Sequence, residues 1–127
     1  MGTSEKYRVL VVDDEPDIQD ILARLLEMSG FDVAVAGNGL RALELAKSFS
    51  PHIILLDVMM PDTSGIETLQ KIREFDHEAK IIMVSGMHDV TVAKEAISLG
   101  AIDYITKPFD LKELEFYIQS LFPENQG

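Results

Sequence analysis

Five polar residues stand where apolar runs stop: Asp13 and Asp14 after Val9–Val12, Asp57 after Ile53–Leu56, Ser85 after Ile81–Val84, and Lys107 after Ala101–Ile105. If the chain brings them together, carboxylates, a hydroxyl and an ammonium share one crevice. Two unit charges about 4 Å apart repel by about 4 kcal/mol at an effective dielectric of about 20. Lys107 alone cannot neutralise three carboxylates, so a hard divalent cation with oxygen ligands is the natural supplement. The chain has no cysteine and only three scattered histidines, so the ligand set favours Mg²⁺ or Mn²⁺ over Zn²⁺. Such an ion keeps waters and completes its shell with phosphate oxygens, which implies a phosphoryl donor. Asp57 as in-line nucleophile, with the cation and Lys107 as clamps and Ser85 donating a hydrogen bond to the product, is chemically sufficient for transfer.

Each residue taken singly has a plainer reading. Asp14 alone is a good helix cap, Ser85 alone a turn residue and Lys107 alone a solvated charge. Their joint placement at four strand ends argues for a site. His52, His77 and His88 read as surface or structural groups.

The elements that must position these residues follow from hydrophobic spacing. Val9–Val12, Phe31–Val35, Ile53–Leu56, Ile81–Val84 and Ala101–Ile105 read as strands, and their largely continuous apolar character suits a parallel sheet buried on both faces. Between them, Ile18, Ile21, Leu22, Leu25 and Leu26 make one helical stripe, started by Pro16 and stopped by Gly30. A second helix carries Leu40, Leu43 and Ala46 or Lys47 toward a stop at Pro51. A third opens at Ser64 with Glu67 three residues on, a capping-box spacing, and buries Ile66, Leu69 and Ile72. A fourth spans about Asp89 to Leu99 before Gly100, and a fifth starts at Asp110 with the stripe Leu111, Leu114, Tyr117, Ile118 and Leu121. Regular βα alternation with right-handed crossovers gives a doubly wound sheet, in which residues just past the strands' carboxyl ends converge on one crevice.

At 127 residues the chain is one domain's worth, and its net charge of −11, from 11 Lys plus Arg against 22 Asp plus Glu, argues against gripping nucleic acid through phosphates. A cation or a basic partner fits better. The absence of cysteine excludes disulfides and thiolate chemistry. No apolar stretch is long enough to span a bilayer and no signal peptide is read at Met1–Lys6, so cytoplasmic residence without membrane association is expected.

From about Tyr7 to Leu121 the sequence resembles the receiver domains of bacterial two-component response regulators. Val9-Leu-Val-Val-Asp-Asp-Glu-Pro16 is similar to the family's first strand and acidic pair, Asp57-Val-Met-Met-Pro-Asp-Thr-Ser-Gly65 to its phosphorylation loop, Val84-Ser85-Gly86 to its switch-hydroxyl segment, and Asp103-Tyr-Ile-Thr-Lys-Pro-Phe109 to its last motif. The resemblance implies an α/β fold, a doubly wound five-stranded parallel sheet in the flavodoxin-like order 2-1-3-4-5 with five flanking helices. It implies a receiver domain over 7–122 between flexible termini 1–6 and 123–127. By the same resemblance Asp57 is the phosphoryl acceptor, and Asp13, Asp14, Asp57 and the main-chain carbonyl of Met59 hold Mg²⁺. Lys107 and Ser85 assist, Ser85 and Tyr104 form the switch, Gly65 is structural, and a cis bond precedes Pro108. Tyr104 also reads as a partly buried core aromatic with a wet hydroxyl.

The implied donor is a phosphohistidine of a sensor histidine kinase or phosphotransfer protein. The implied output is a downstream protein or domain, or a phosphorylation-dependent homodimer, through helix four, strand five and helix five. Gly86 departs from the family's usual alanine, which would free the backbone there. Met59 and Met87 are expected to tune the lifetime by hindering attacking water. The domain is expected to promote its own phosphorylation and dephosphorylation without turning over small substrates. An Asp-nucleophile phosphatase would carry a second acid where Met59 stands, and a serine hydrolase would carry a glycine where Met83 stands. A flavin module would not place Asp13-Asp14-Glu15 beside a phosphate. A phosphorylation-independent interaction domain remains the alternative. No output domain is read after Leu121, which fits either a stand-alone receiver or a piece of a longer regulator.

Overall fold

Short runs of Val, Ile and Leu form strands because β-branched side chains pack well on a pleated surface and because Pro, Gly or a cap interrupts each before a helix can grow. The computed structural model describes residues 6–122, so the termini expected to be flexible, 1–6 and 123–127, lie outside the described residues except for Lys6. The elements are β1 (Arg8–Val12), α1 (Pro16–Met28), β2 (Asp32–Ala36), α2 (Gly39–Ser48), β3 (Ile53–Leu56), α3 (Gly65–Arg73), β4 (Lys80–Ser85), α4 (Val90–Ser98), β5 (Asp103–Thr106) and α5 (Leu111–Ser120). The strands make one sheet in the order β2-β1-β3-β4-β5, and every pair is parallel.

Strand alternation divides the continuous apolar runs between two cores. Leu10, Val12, Ile54, Leu56, Ile81 and Met83 face Ala42, Ala46, Leu69, Ile72 and Ala96 of α2, α3 and α4. Val9, Val11, Ile53, Leu55, Ile82 and Val84 face Leu22, Leu26, Leu114 and Ile118 of α1 and α5. The central strands are therefore buried on both faces, whereas the edge strands β2 and β5 are only partly covered. Hydrophobic burial of this kind contributes about 25 cal/mol per Å², and here it anchors the strand ends that carry the polar residues.

The helix signals act as expected at most ends. Ser64 Oγ accepts from the Glu67 amide, Asp89 from Thr91 and Val92, and Asp110 from Glu113. Gly30 and Gly100 follow α1 and α4 in left-handed conformations, φ 98° and 109°. The differences from expectation are local. Leu40 is 65% exposed, because α2 turns the face of Gly39, Ala42 and Ala46 to the core and Leu40 lies off that face. Glu67 pairs with Lys71 at 3.3 Å. β2 and β5 begin later than their apolar runs, at Asp32 and Asp103, because Phe31 and Ala101 are buried in the turns that lead into them. His52 is structural: its Nδ1 accepts the Arg8 amide at 2.9 Å.

Candidate functional site

Parallel pairing brings the carboxyl ends of β1, β3, β4 and β5 to one edge of the sheet. The Asp13 amide donates to Ala36 O and the Asp57 amide to Val12 O, both at 3.0 Å, so each acid is held by the strand beside it. The Lys107 amide donates to Ser85 O at 2.8 Å and fixes the lysine next to β4. Asp14, Glu15, Asp57, Met59, Ser85, Gly86, Met87 and Lys107 line an open cavity of about 430 Å³, with Asp13 buried beside it.

Lys107 Nζ donates to Asp13 Oδ2 at 2.6 Å, to Asp57 Oδ2 at 3.1 Å and to Glu15 Oε1 at 3.2 Å. The remaining oxygens of the two buried acids are also engaged: Asp13 Oδ1 accepts the Glu15 amide at 2.9 Å and Asp57 Oδ1 the Met59 amide at 3.1 Å. Burial works against the Lys107 ammonium, but the hydrogen bonds to Asp13 and Asp57 outweigh it and hold its pKa above the usual lysine range. Burial also pushes the Asp13 carboxyl up. Lys107 and the Glu15 amide only partly offset this, and the Asp57 charge adds to the rise.

Asp13, Asp14 and Asp57 each offer an oxygen within 4.8 Å of the others. A convergent, all-carboxylate donor set open to water on the Asp14 side suits a hard, partly hydrated ion such as Mg²⁺.

Ser85 and Tyr104 meet at Met87. Ser85 Oγ accepts the Met87 amide at 3.2 Å, and the Tyr104 hydroxyl donates to Met87 O at 2.7 Å. Tyr104 is partly buried against the core, and burial raises its phenol pKa, a rise that Ser85 partly offsets and Asp57 and Asp89 increase. Gly86 is exposed, its φ is not left-handed, and an added Cβ would meet nothing within 4 Å. Gly65 is the opposite case, since a Cβ there would lie 2.0 Å from Asp57 O. The Lys107–Pro108 bond is cis.

The structure adds residues that spacing did not single out. Glu15 is the third partner of Lys107. Gln19, one helical turn into α1, donates to Asp13 O at 2.5 Å. Asp62, in the loop after Asp57, accepts the Gly39 and Leu40 amides of α2. A Glu directly after the acid pair was a usable signal for the first; the other two depend on contacts that only the fold creates.

Known proteins resemble this chain in sequence and fold. Residues 9–119 match the response regulator receiver domain family. The regulatory protein AtoC of Escherichia coli (strain K12) is 37% identical over 112 residues, 88% of this chain and 24% of that protein. A probable transcriptional regulator, ycf27, of Cyanophora paradoxa is 41% identical over 122 residues, 96% of this chain and 51% of that protein. The chain thus spans about a quarter to about a half of the length of these curated relatives. Among solved structures, a CheY-like response regulator receiver domain protein from Methanospirillum hungatei JF-1 superposes with a TM-score of 0.90 at 29% identity, covering 96% of this chain and 98% of that one. The CheX-CheY-BeF3-Mg²⁺ complex from Borrelia burgdorferi gives 0.85 at 31% identity, covering 91% and 89%. Among the described residues no helix is long and apolar enough to cross a membrane. With residues 9–119 matching one family and the same fold seen in its solved members, the chain belongs to the response regulator receiver domains.

Proposed function

We propose that this domain is the phosphoryl-accepting switch of a two-component phosphorelay, with Asp57 as acceptor. The observation that carries the reading is the Lys107 ammonium bridging Asp13 and Asp57 while Asp14 completes a three-carboxylate cluster. In the proposed reaction an Asp57 carboxylate oxygen attacks the phosphorus of a phosphohistidine on a sensor kinase or phosphotransfer protein. The P–N bond breaks as the P–O bond of an acyl phosphate forms, and the histidine leaves as neutral imidazole after taking up a proton. Asp13, Asp14, Asp57 and the carbonyl of Met59 would hold Mg²⁺, which when bound neutralises charge on the transferring group. Lys107 supplies the protein's own positive charge at the acceptor.

The product adds about −1.5 to −2 charge and strong acceptor oxygens beside Ser85. Ser85 Oγ then donates to a phosphoryl oxygen and gives up the Met87 amide, and Tyr104, bonded to the same residue's carbonyl, follows. The consequence is a changed face on α4, β5 and α5, read by a downstream protein, an output domain or a second copy. The domain promotes its own phosphorylation and dephosphorylation and does not turn over small substrates.

Intact-mass spectrometry after incubation with acetyl phosphate tests this. One phosphoryl group gained only with Mg²⁺, and lost in Asp57→Asn, supports the reading. No gain under any condition points instead to a phosphorylation-independent interaction domain on the same fold.

A further inference from the structure

The loop between Asp57 and α3 is gripped at both of its ends. At its base, the Gly65 amide donates to Val58 O at 2.6 Å and Met59 pairs with Ser64 in an antiparallel bridge. Gly65 lies so close to Asp57 O that a Cβ would have no room. At its far side, Asp62 Oδ1 accepts the Gly39 amide at 2.9 Å and Oδ2 accepts the Leu40 amide at 3.1 Å. A carboxylate bonded to two amides at a helix start gains from charge-assisted bonds and from the helix dipole. Those bonds, that to Gly39 first, hold the Asp62 carboxyl below the usual range.

The clasp is sterically exclusive as well. A Cβ on Gly39 would lie 2.2 Å from Thr63 Cγ2 and 2.8 Å from Thr68 Oγ1, so α2 and the loop touch backbone to side chain. The Thr63 hydroxyl is buried without a hydrogen-bond partner, a cost that the surrounding contacts must offset. α2 itself follows β2, whose last residue, Ala36, accepts the Asp13 amide. A continuous path therefore runs from Asp13 through Ala36, the start of α2 and Asp62 back to the loop that presents Met59 beside Asp57.

We infer that Asp62 is a positioning residue: by clasping the start of α2 it fixes the loop that sets Met59 at the mouth of the acid pocket, and so governs metal affinity and phosphoryl lifetime without touching either group. The inference rests on the proposed metal and acceptor roles. Asn38 provides the control, because its side chain accepts the Arg41 amide of the same helix start at 2.8 Å and makes no bond to the loop.

The test compares the parent chain, Asp62→Ala, Asp62→Asn and Asn38→Ala. Three quantities are measured: Mg²⁺ affinity by calorimetry, phosphoryl half-life after acetyl phosphate, and hydrogen exchange of the Met59 amide by NMR. In Asp62→Ala, Mg²⁺ binding weakens severalfold, less than the roughly 10–100-fold lost with a group bonded directly to a metal ligand, because Asp62 acts only through the loop. The half-life shortens and the Met59 amide exchanges faster. Asp62→Asn, with one accepting oxygen, falls between, and Asn38→Ala leaves all three at the parent's values. Unchanged Mg²⁺ affinity and Met59 exchange in Asp62→Ala overturn the inference, as do equal changes in Asp62→Ala and Asn38→Ala. A parent chain that takes up neither Mg²⁺ nor phosphoryl overturns the proposed function instead, and the Met59 exchange rates still decide whether the clasp holds the loop.

Discussion

Lys107 Nζ stands 2.6 Å from Asp13 Oδ2 across 94 positions of sequence, yet Asp13 titrates above its ordinary value of 3.8 because its burial outweighs that bond. The raised pKa of Lys107 shows that the ammonium gains from the pair; the carboxylate, with a side chain only 5% exposed, still loses more water than it recovers in contacts. A carboxyl whose folded pKa is raised favours the folded state below its unfolded pKa, and that contribution is lost as pH rises through the folded value. At neutral pH ionised Asp13 therefore costs stability. Asp13→Asn should raise the melting midpoint in EDTA, since Lys107 keeps Asp57 and Glu15 as partners. The same variant should lose the gain from Mg²⁺, which for the parent is about 1.4 kcal/mol at ten times Kd. A lower midpoint in EDTA would mean that the pair outweighs the burial.

Two glycines near the acceptor have opposite tolerances. Gly65→Ala forces a Cβ against the Asp57 carbonyl, a backbone atom that cannot swing aside. Overpacking of this kind costs about 1–3 kcal/mol, and here it also displaces the acceptor. Gly86→Ala meets open space at a φ outside the left-handed region, so it should stabilise by about 0.4–1 kcal/mol through the unfolded chain. Urea melts of both variants check the pair; similar destabilisation by each would refute the argument.

Met59 is 61% exposed at the cavity that contains Asp57, whereas Met87 is partly buried against the core and anchors Tyr104 through its carbonyl. Both are expected to shield the acyl phosphate from water, but only Met59 can be changed without disturbing packing. Met59→Gln should shorten the phosphoryl half-life roughly fivefold, which corresponds to about 1 kcal/mol in the barrier. Decay of the phosphorylated mass over time reads it directly, and an unchanged half-life removes Met59 from the tuning role.

Fold and acid pocket were largely readable in advance, for reasons specific to this chain. Val9–Val12 and Ile53–Leu56 are continuous because both faces of β1 and β3 are covered, and each stops at an acid because that acid faces the crevice. Leu40 misled because α2 buries Gly39, Ala42 and Ala46, small residues that mark a core face only weakly in the apolar spacing. Asp62 and Gln19 were invisible for another reason: their partners, amides of α2 and the carbonyl of Asp13, are backbone groups with no side-chain signature in sequence.

Tyr117 offers a pH test on the face proposed to meet partners. It lies on α5 beside Asp103 of β5, and burial first, then the neighbouring carboxylate, pushes its phenol up to about 12 from an ordinary value of 10.0. The folded state thus holds the phenolic proton more tightly than the unfolded one. Its contribution to stability is complete below the unfolded pKa and is lost as pH rises from about 10 through the folded value of about 12. Tyr104 also titrates upward, so the parent alone does not isolate the effect. The difference between the parent and Tyr117→Phe does, because the ring remains and only the hydroxyl goes. Denaturant stability of the parent should fall more steeply than that of Tyr117→Phe across this alkaline range, and Asp103→Asn should shift the Tyr117 phenolate absorbance to lower pH. Parallel stability curves with an unmoved absorbance would show that Asp103 does not act on Tyr117, leaving α5 and β5 coupled only through their apolar contacts.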